Sequence, residues 1–94
     1  MMNIQHEEGK EGGIFKIDEN GKRTAELTYR LTADGKMDID HTEVDIKFRG
    51  EGIGEDMVAA AVKHAKAKKM RIVATCPYAK KIIDETREFK DVLD

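Results

Sequence analysis

The sequence predicts one α+β domain in which antiparallel strands come first and a strand-helix-strand crossover follows. Two hairpin dipeptides, Asn20-Gly21 and Asp34-Gly35, separate segments that alternate as strands do. After Gly54 the apolar period changes from two to that of a helix. A short β-branched run, residues 71–75, then separates two helical stretches. Together these predict an antiparallel three-stranded meander, a β-α-β parallel pair and a C-terminal helix within residues 1–94.

Each element has its own reason. Residues 14–17 form the first strand, and the Asn20-Gly21 turn supplies the two positive-φ positions a tight hairpin needs. Residues 24–31 place Ala25, Leu27, Tyr29 and Leu31 on one face and Thr24, Glu26, Thr28 and Arg30 on the other, so one face is buried and one wet. Residues 36–44 make the third strand. Met37 and Ile39 share a parity with His41 and Glu43, whereas Val44 has the opposite one, so the apolar phase slips and a bulge is expected between 39 and 44. Ile53, Met57, Val58, Ala61, Val62 and Ala65 then form a helical stripe about fifteen residues long. Glu55 and Asp56 lie in its first turn and lysines toward its end, as the helix dipole favours. From Ala79 the positions Ile82, Ile83, Thr86, Phe89 and Leu93 predict a second amphipathic helix.

Composition narrows the function. A chain of 94 residues has room for one core and buries only about 60–65% of its unfolded surface. Seventeen Lys and Arg against nineteen Asp and Glu leave a net charge of −2, which is no footprint for nucleic acid or an anionic membrane. The longest apolar run, 57–62, is far short of a membrane span, and the polar start lacks a signal-peptide core, so a cytoplasmic location is expected. The single cysteine, Cys76, rules out an internal disulfide and a cysteine-based metal cluster. His6, His41 and His64 are dispersed along the chain, and no metal site is expected from their spacing.

Arg49 precedes three glycines, Gly50, Gly52 and Gly54, at the junction of a strand and a helix. Glycines there let backbone N–H groups turn toward a ligand, and the helix N-terminus behind them favours an anion, most simply a phosphate. Neither G-x-G-x-x-G nor the P-loop pattern fits, because Glu55 stands where each needs glycine. What remains, Arg49-x-x-Gly52-x-Gly54, resembles the pyrophosphate loop of the GCN5-related N-acetyltransferases. Two further segments extend the resemblance, His41-Thr42-Glu43-Val44 before the loop and Cys76-Pro77-Tyr78 after it, which are similar to the small single-domain branch of that family.

The resemblance implies a minimal fold of that family, in which two parallel strands splay apart around acetyl-CoA. It also implies a cofactor contact along Val44, Arg49, Gly50, Glu51, Gly52, Ile53 and Gly54. Larger members carry additional helices and strands that build much of the acceptor pocket, and such elements are not expected within these 94 residues. Glu51, Glu55 and Asp56 put negative charge beside the proposed pyrophosphate, with Lys47 and Arg49 the nearby cations, so modest cofactor affinity is expected.

Four residues are candidates for the chemistry. Cys76 precedes Pro77, which suits the first helical position, so Cys76 is the expected N-cap of the last helix; its thiol is either activated by the helix amides or a buried, inert side chain. His41 and Glu43 are candidate general bases beside the expected bulge, the alternatives being a hydrogen-bonded core histidine and a solvated edge carboxylate. Tyr78 matches by region the tyrosine that protonates the leaving thiolate in many acetyltransferases, or it packs. The resulting expectation is acetyl transfer from acetyl-CoA to an unidentified amine, by direct attack or through an acetyl-Cys76 intermediate, in a monomer or weak homodimer. The competing class is a non-catalytic CoA or acetyl-CoA binding module.

Overall fold

The computed structural model describes residues 3–94, so Met1 and Met2, at the start of the expected 1–94 domain, lie outside the described residues. Five strands form one sheet in sequential order: β1 (Gln5–Glu8), β2 (Gly12–Glu19), β3 (Lys22–Leu31), β4 (Met37–Val44) and β5 (Ile72–Ala74). The first four are antiparallel, and β5 runs parallel to β4 after the crossover helix α1 (Ile53–Ala67). The meander expected from sequence therefore gains a fourth strand from the polar segment before residue 9. Asn20 and Gly21 adopt φ of 51° and 78°, as the two-residue turn between paired Glu19 and Lys22 demands.

Register explains where the core sits. Phe15 pairs with Leu27 and Ile17 with Ala25, while Tyr29 pairs with Ile39 and Leu31 with Met37, so one sheet face is continuously apolar. Onto it pack Met57, Val58, Ala61, Val62 and Ala65 of α1 and Ala79, Ile82 and Ile83 of α2 (Pro77–Glu85). The opposite face carries ion pairs, among them Arg23 with Glu26 at 3.0 Å and Arg30 with Asp38 at 2.8 Å. No helix among the described residues is long and apolar enough to cross a membrane.

The last helix differs from expectation. It stops at Glu85, because Thr86 is extended, with φ −113° and ψ 107°, and residues 87–92 continue as 3₁₀ turns. The break returns the chain to the outer edge of β5, where Leu93 bridges Ile72 and Asp94 N donates to the Ile72 carbonyl at 2.8 Å. Arg71 holds that tail through the carbonyls of Asp91 and Leu93, at 2.7 and 2.5 Å. An uninterrupted helix would bury the same apolar stripe but leave this strand edge uncovered.

Candidate active site

The site forms where β4 and β5 part. Their pairing covers only Met37–Ile39 against Ile72–Ala74, and then Thr75 N and Cys76 N both donate to the Ile39 carbonyl at 3.0 Å. Asp38, buried, fixes the point of divergence: it accepts from the Thr75 hydroxyl at 2.9 Å and from Arg30 at 2.8 Å. β4 continues to Val44 without a β5 partner, and its free edge opens onto a cleft of about 520 Å³.

The loop after β4 forms the other wall. Asp45 caps a 3₁₀ turn at 46–48 by accepting from Lys47 N at 2.9 Å, and the chain then turns through Gly50 and Gly52, with φ of 87° and 81°. L-residues with a side chain rarely adopt this left-handed conformation. Gly52 is the N-cap of α1 and offers no side-chain acceptor, and the first helical bond runs from Asp56 N to the Gly52 carbonyl at 3.0 Å. The N–H groups of Ile53, Gly54 and Glu55 therefore have no carbonyl of the helix to donate to. These residues line the cleft.

Tyr78, from the first turn of α2, closes the cleft from the β5 side. It is 44% exposed, and its hydroxyl lies 3.5 Å from Glu55. Burial of the ring, and then the Glu55 carboxylate, push its pKa above the ordinary tyrosine value, so the phenol keeps its proton at neutral pH. Gly54 makes this position possible: a Cβ there would strike the Tyr78 hydroxyl and stand 2.7 Å from Cζ.

A splayed parallel pair, a glycine loop opening a helix and a phenol above that helix start agree with what the chain resembles. Residues 14–92 match the family described as GCN5-related N-acetyl-transferase. The chain belongs to that family. Protein NATD1 of Xenopus tropicalis is 30% identical over 83 residues, covering 87% of this chain and 76% of the relative. The NMR solution structure of a GCN5-like protein from Staphylococcus aureus superposes with a TM-score of 0.75 at 32% identity, over 100% of this chain and 91% of that one. An acetyltransferase-fold protein from Bacillus anthracis, solved with acetyl coenzyme A, shares the fold at a TM-score of 0.63 and 19% identity, over 79% of this chain and 47% of its own.

Within this acetyltransferase fold the sequence candidates fall in three places. Val44, Arg49, Gly50, Gly52, Ile53, Gly54, His41, Glu43 and Tyr78 line the cleft. Arg49 is turned back on the strand, its Nε donating to the Val44 carbonyl at 3.2 Å. Glu51 is exposed at the turn and does not line the cleft. Cys76 is the N-cap of α2 with Pro77 at its start, as expected, but the thiol lies behind the cleft: it is 8% exposed and its Sγ is 3.7 Å from Thr42 Oγ1.

The bulge is present, and it reverses the parity read from sequence. Thr28 pairs with His41 and Tyr29 with Ile39, so Asp40 is the extra residue. Beyond it Thr42 and Val44 face the core side, while His41 and Glu43 turn to the polar face, where His41 Nε2 lies 3.3 Å from Glu26 and 3.8 Å from Glu43. Sequence reasoning missed Thr42 and Asp38. A polar residue within a strand gives no local sign that its side chain is buried, and Thr42 reaches the cysteine side only because of the bulge.

Proposed function

We propose that this chain transfers an acetyl group from acetyl-CoA to a primary amine. The observation that carries the reading is the free β4 edge ending at an uncapped helix start, with a protonated phenol above both. The amides of Ile53, Gly54 and Glu55 would receive the pyrophosphate, and the pantetheine would lie along Thr42–Val44 as an added strand. Glu51, Glu55 and Asp56 oppose the pyrophosphate charge and Arg49 is engaged with Val44, so affinity is modest.

Transfer is direct in this reading. The amine nitrogen, freed of its extra proton by His41 or Glu43, attacks the thioester carbon. The tetrahedral intermediate collapses with cleavage of the C–S bond, and Tyr78 gives its proton to the departing CoA thiolate. Cys76 takes no covalent step, because its thiol is buried behind Thr42. A hydroxylamine-sensitive acetyl group on Cys76 after incubation with acetyl-CoA would replace this by a two-step route.

Two measurements test the proposal. Calorimetry should give one acetyl-CoA site that Gly52→Val removes while the fold is retained, since valine cannot hold the left-handed N-cap. A panel of amines with CoA release as readout should yield at least one acceptor. Binding without release from any amine would instead favour the non-catalytic module, and wild-type affinity in folded Gly52→Val would sink the loop assignment.

A further inference from the structure

A second chemical cluster lies at the opposite end of α1. His64 stands ten residues beyond Gly54, about 15 Å along the helix axis, and faces the edge strand β1. There His6 and Glu8, two apart and hence on one side of the strand, meet it. The His6, Glu8 and His64 ligand atoms all lie within 4.8 Å of one another. Glu8 Oε2 is 3.2 Å from His64 Nε2 and accepts from the Tyr29 hydroxyl at 2.6 Å, and His6 Nε2 lies 2.6 Å from that hydroxyl. The His6 ring stacks on Phe15 at 4.0 Å and meets the His64 ring edge-on at 4.4 Å.

We propose that His6, Glu8 and His64 bind a divalent transition-metal ion of the zinc type. Two imidazoles and one carboxylate form a three-ligand set that leaves a fourth position for water, and this N₂O donor set selects zinc, cobalt or nickel over magnesium and calcium. Tyr29, buried and donating to Glu8, supplies the hydrogen bond that orients a ligating carboxylate. Among the described residues no Lys or Arg pairs with Glu8, so no side-chain cation occupies the place of the metal. The other cluster of comparable composition, Glu26 with His41 and Glu43, differs in this respect: Arg23 sits 3.0 Å from Glu26.

Coordination requires the ligand atoms to close to about 3–3.5 Å from one another around bonds of about 2 Å. Reaching it replaces the direct His64 Nε2–Glu8 contact, and His6 must either ligate through its other ring nitrogen or give up the 2.6 Å contact of Nε2 with the Tyr29 hydroxyl; the exposed edge strand leaves these side chains room to turn. All four β1 residues are exposed, and His6 and Glu8 join the strand to α1 through His64. The metal would therefore fasten β1 to the helix and stabilise the native state by mass action.

Zinc chloride titrated into the full chain in a non-chelating buffer tests this, followed by calorimetry and thermal melting, with cobalt(II) absorption as the spectroscopic probe. The expected result is one equivalent of zinc, a raised Tm, and the intense visible bands of tetrahedral cobalt. His6→Ala and His64→Ala should each weaken binding at least tenfold, whereas His41→Ala should leave it unchanged. Glu8→Gln, which keeps the acceptor for Tyr29 and so the packing, should also lose about tenfold and covers the case in which a histidine variant fails to fold. No zinc binding by the wild type would overturn the proposal. So would binding that survives Glu8→Gln and both histidine variants, at Cys76 or elsewhere.

Discussion

Tyr78 and Cys76 are two residues apart, yet the fold gives them opposite access. The tyrosine reaches the cleft from the first turn of α2, and the cysteine, at the cap, faces inward to Thr42. Tyr78→Phe keeps the ring and removes the proton, so kcat for acetyl transfer should fall by about 10²-fold or more, with acetyl-CoA affinity changed only slightly. The pH profile gives a second check. In the proposed transfer Tyr78 acts in its protonated form, and its pKa is raised, so the rate should decline only above about pH 10, and this alkaline limb should vanish in the variant. A limb well below that pH in the wild type would assign the acid elsewhere. For Cys76, burial predicts alkylation by iodoacetamide at least about tenfold slower in the native protein than in urea, because a reagent must reach the sulfur. Equal rates would put the thiol in the cleft.

The loop and the helix it opens impose two different demands on their glycines. At Gly50 an added Cβ meets open space, and the constraint is the φ of 87° alone. At Gly54 the backbone is helical, and the constraint is the Tyr78 ring that occupies the place of the side chain. Gly50→Ala should therefore cost about 1 kcal/mol of stability, measurable in urea, through backbone strain. Gly54→Ala should leave stability closer to wild type, since helical alanine is favoured over glycine, while displacing Tyr78 and lowering kcat. If Gly54→Ala transfers acetyl at the wild-type rate, the close approach of the ring to the helix is not needed for catalysis.

On the scale of the whole molecule, one apolar sheet face and two helices supply the core, with no second layer beneath the sheet among the described residues. Such a domain has a stability of about 5–14 kcal/mol. Leu27, fully buried at the centre of β3, takes a large share of the packing. Leu27→Ala should cost about 3 kcal/mol and lower the Tm by about 12 °C or more, with the urea m-value unchanged. A loss below about 1 kcal/mol would mean the sheet face collapses onto the cavity.

Local signals determined much of this protein. The Asn20-Gly21 turn, the alternation of β3, the stripe and length of α1, and the Cys76-Pro77 cap are set by steric and burial rules that act within a few residues, and each was legible in the sequence. So was the glycine loop, because left-handed φ leaves a mark in composition. Only the tertiary structure decided the rest. The extra residue at Asp40 reverses which of His41, Thr42 and Glu43 face the core side, a choice made by pairing with β3. Thr86 ends α2 because the following segment finds partners on Arg71 and Ile72, far away in sequence. The edge strand β1 is polar throughout and carries no apolar alternation, so only its pairing with β2 reveals it. His6 and His64, 58 residues apart with no common motif, meet Glu8 because β1 adds to β2 at the sheet edge that the end of α1 reaches, and spacing along a chain carries no record of that.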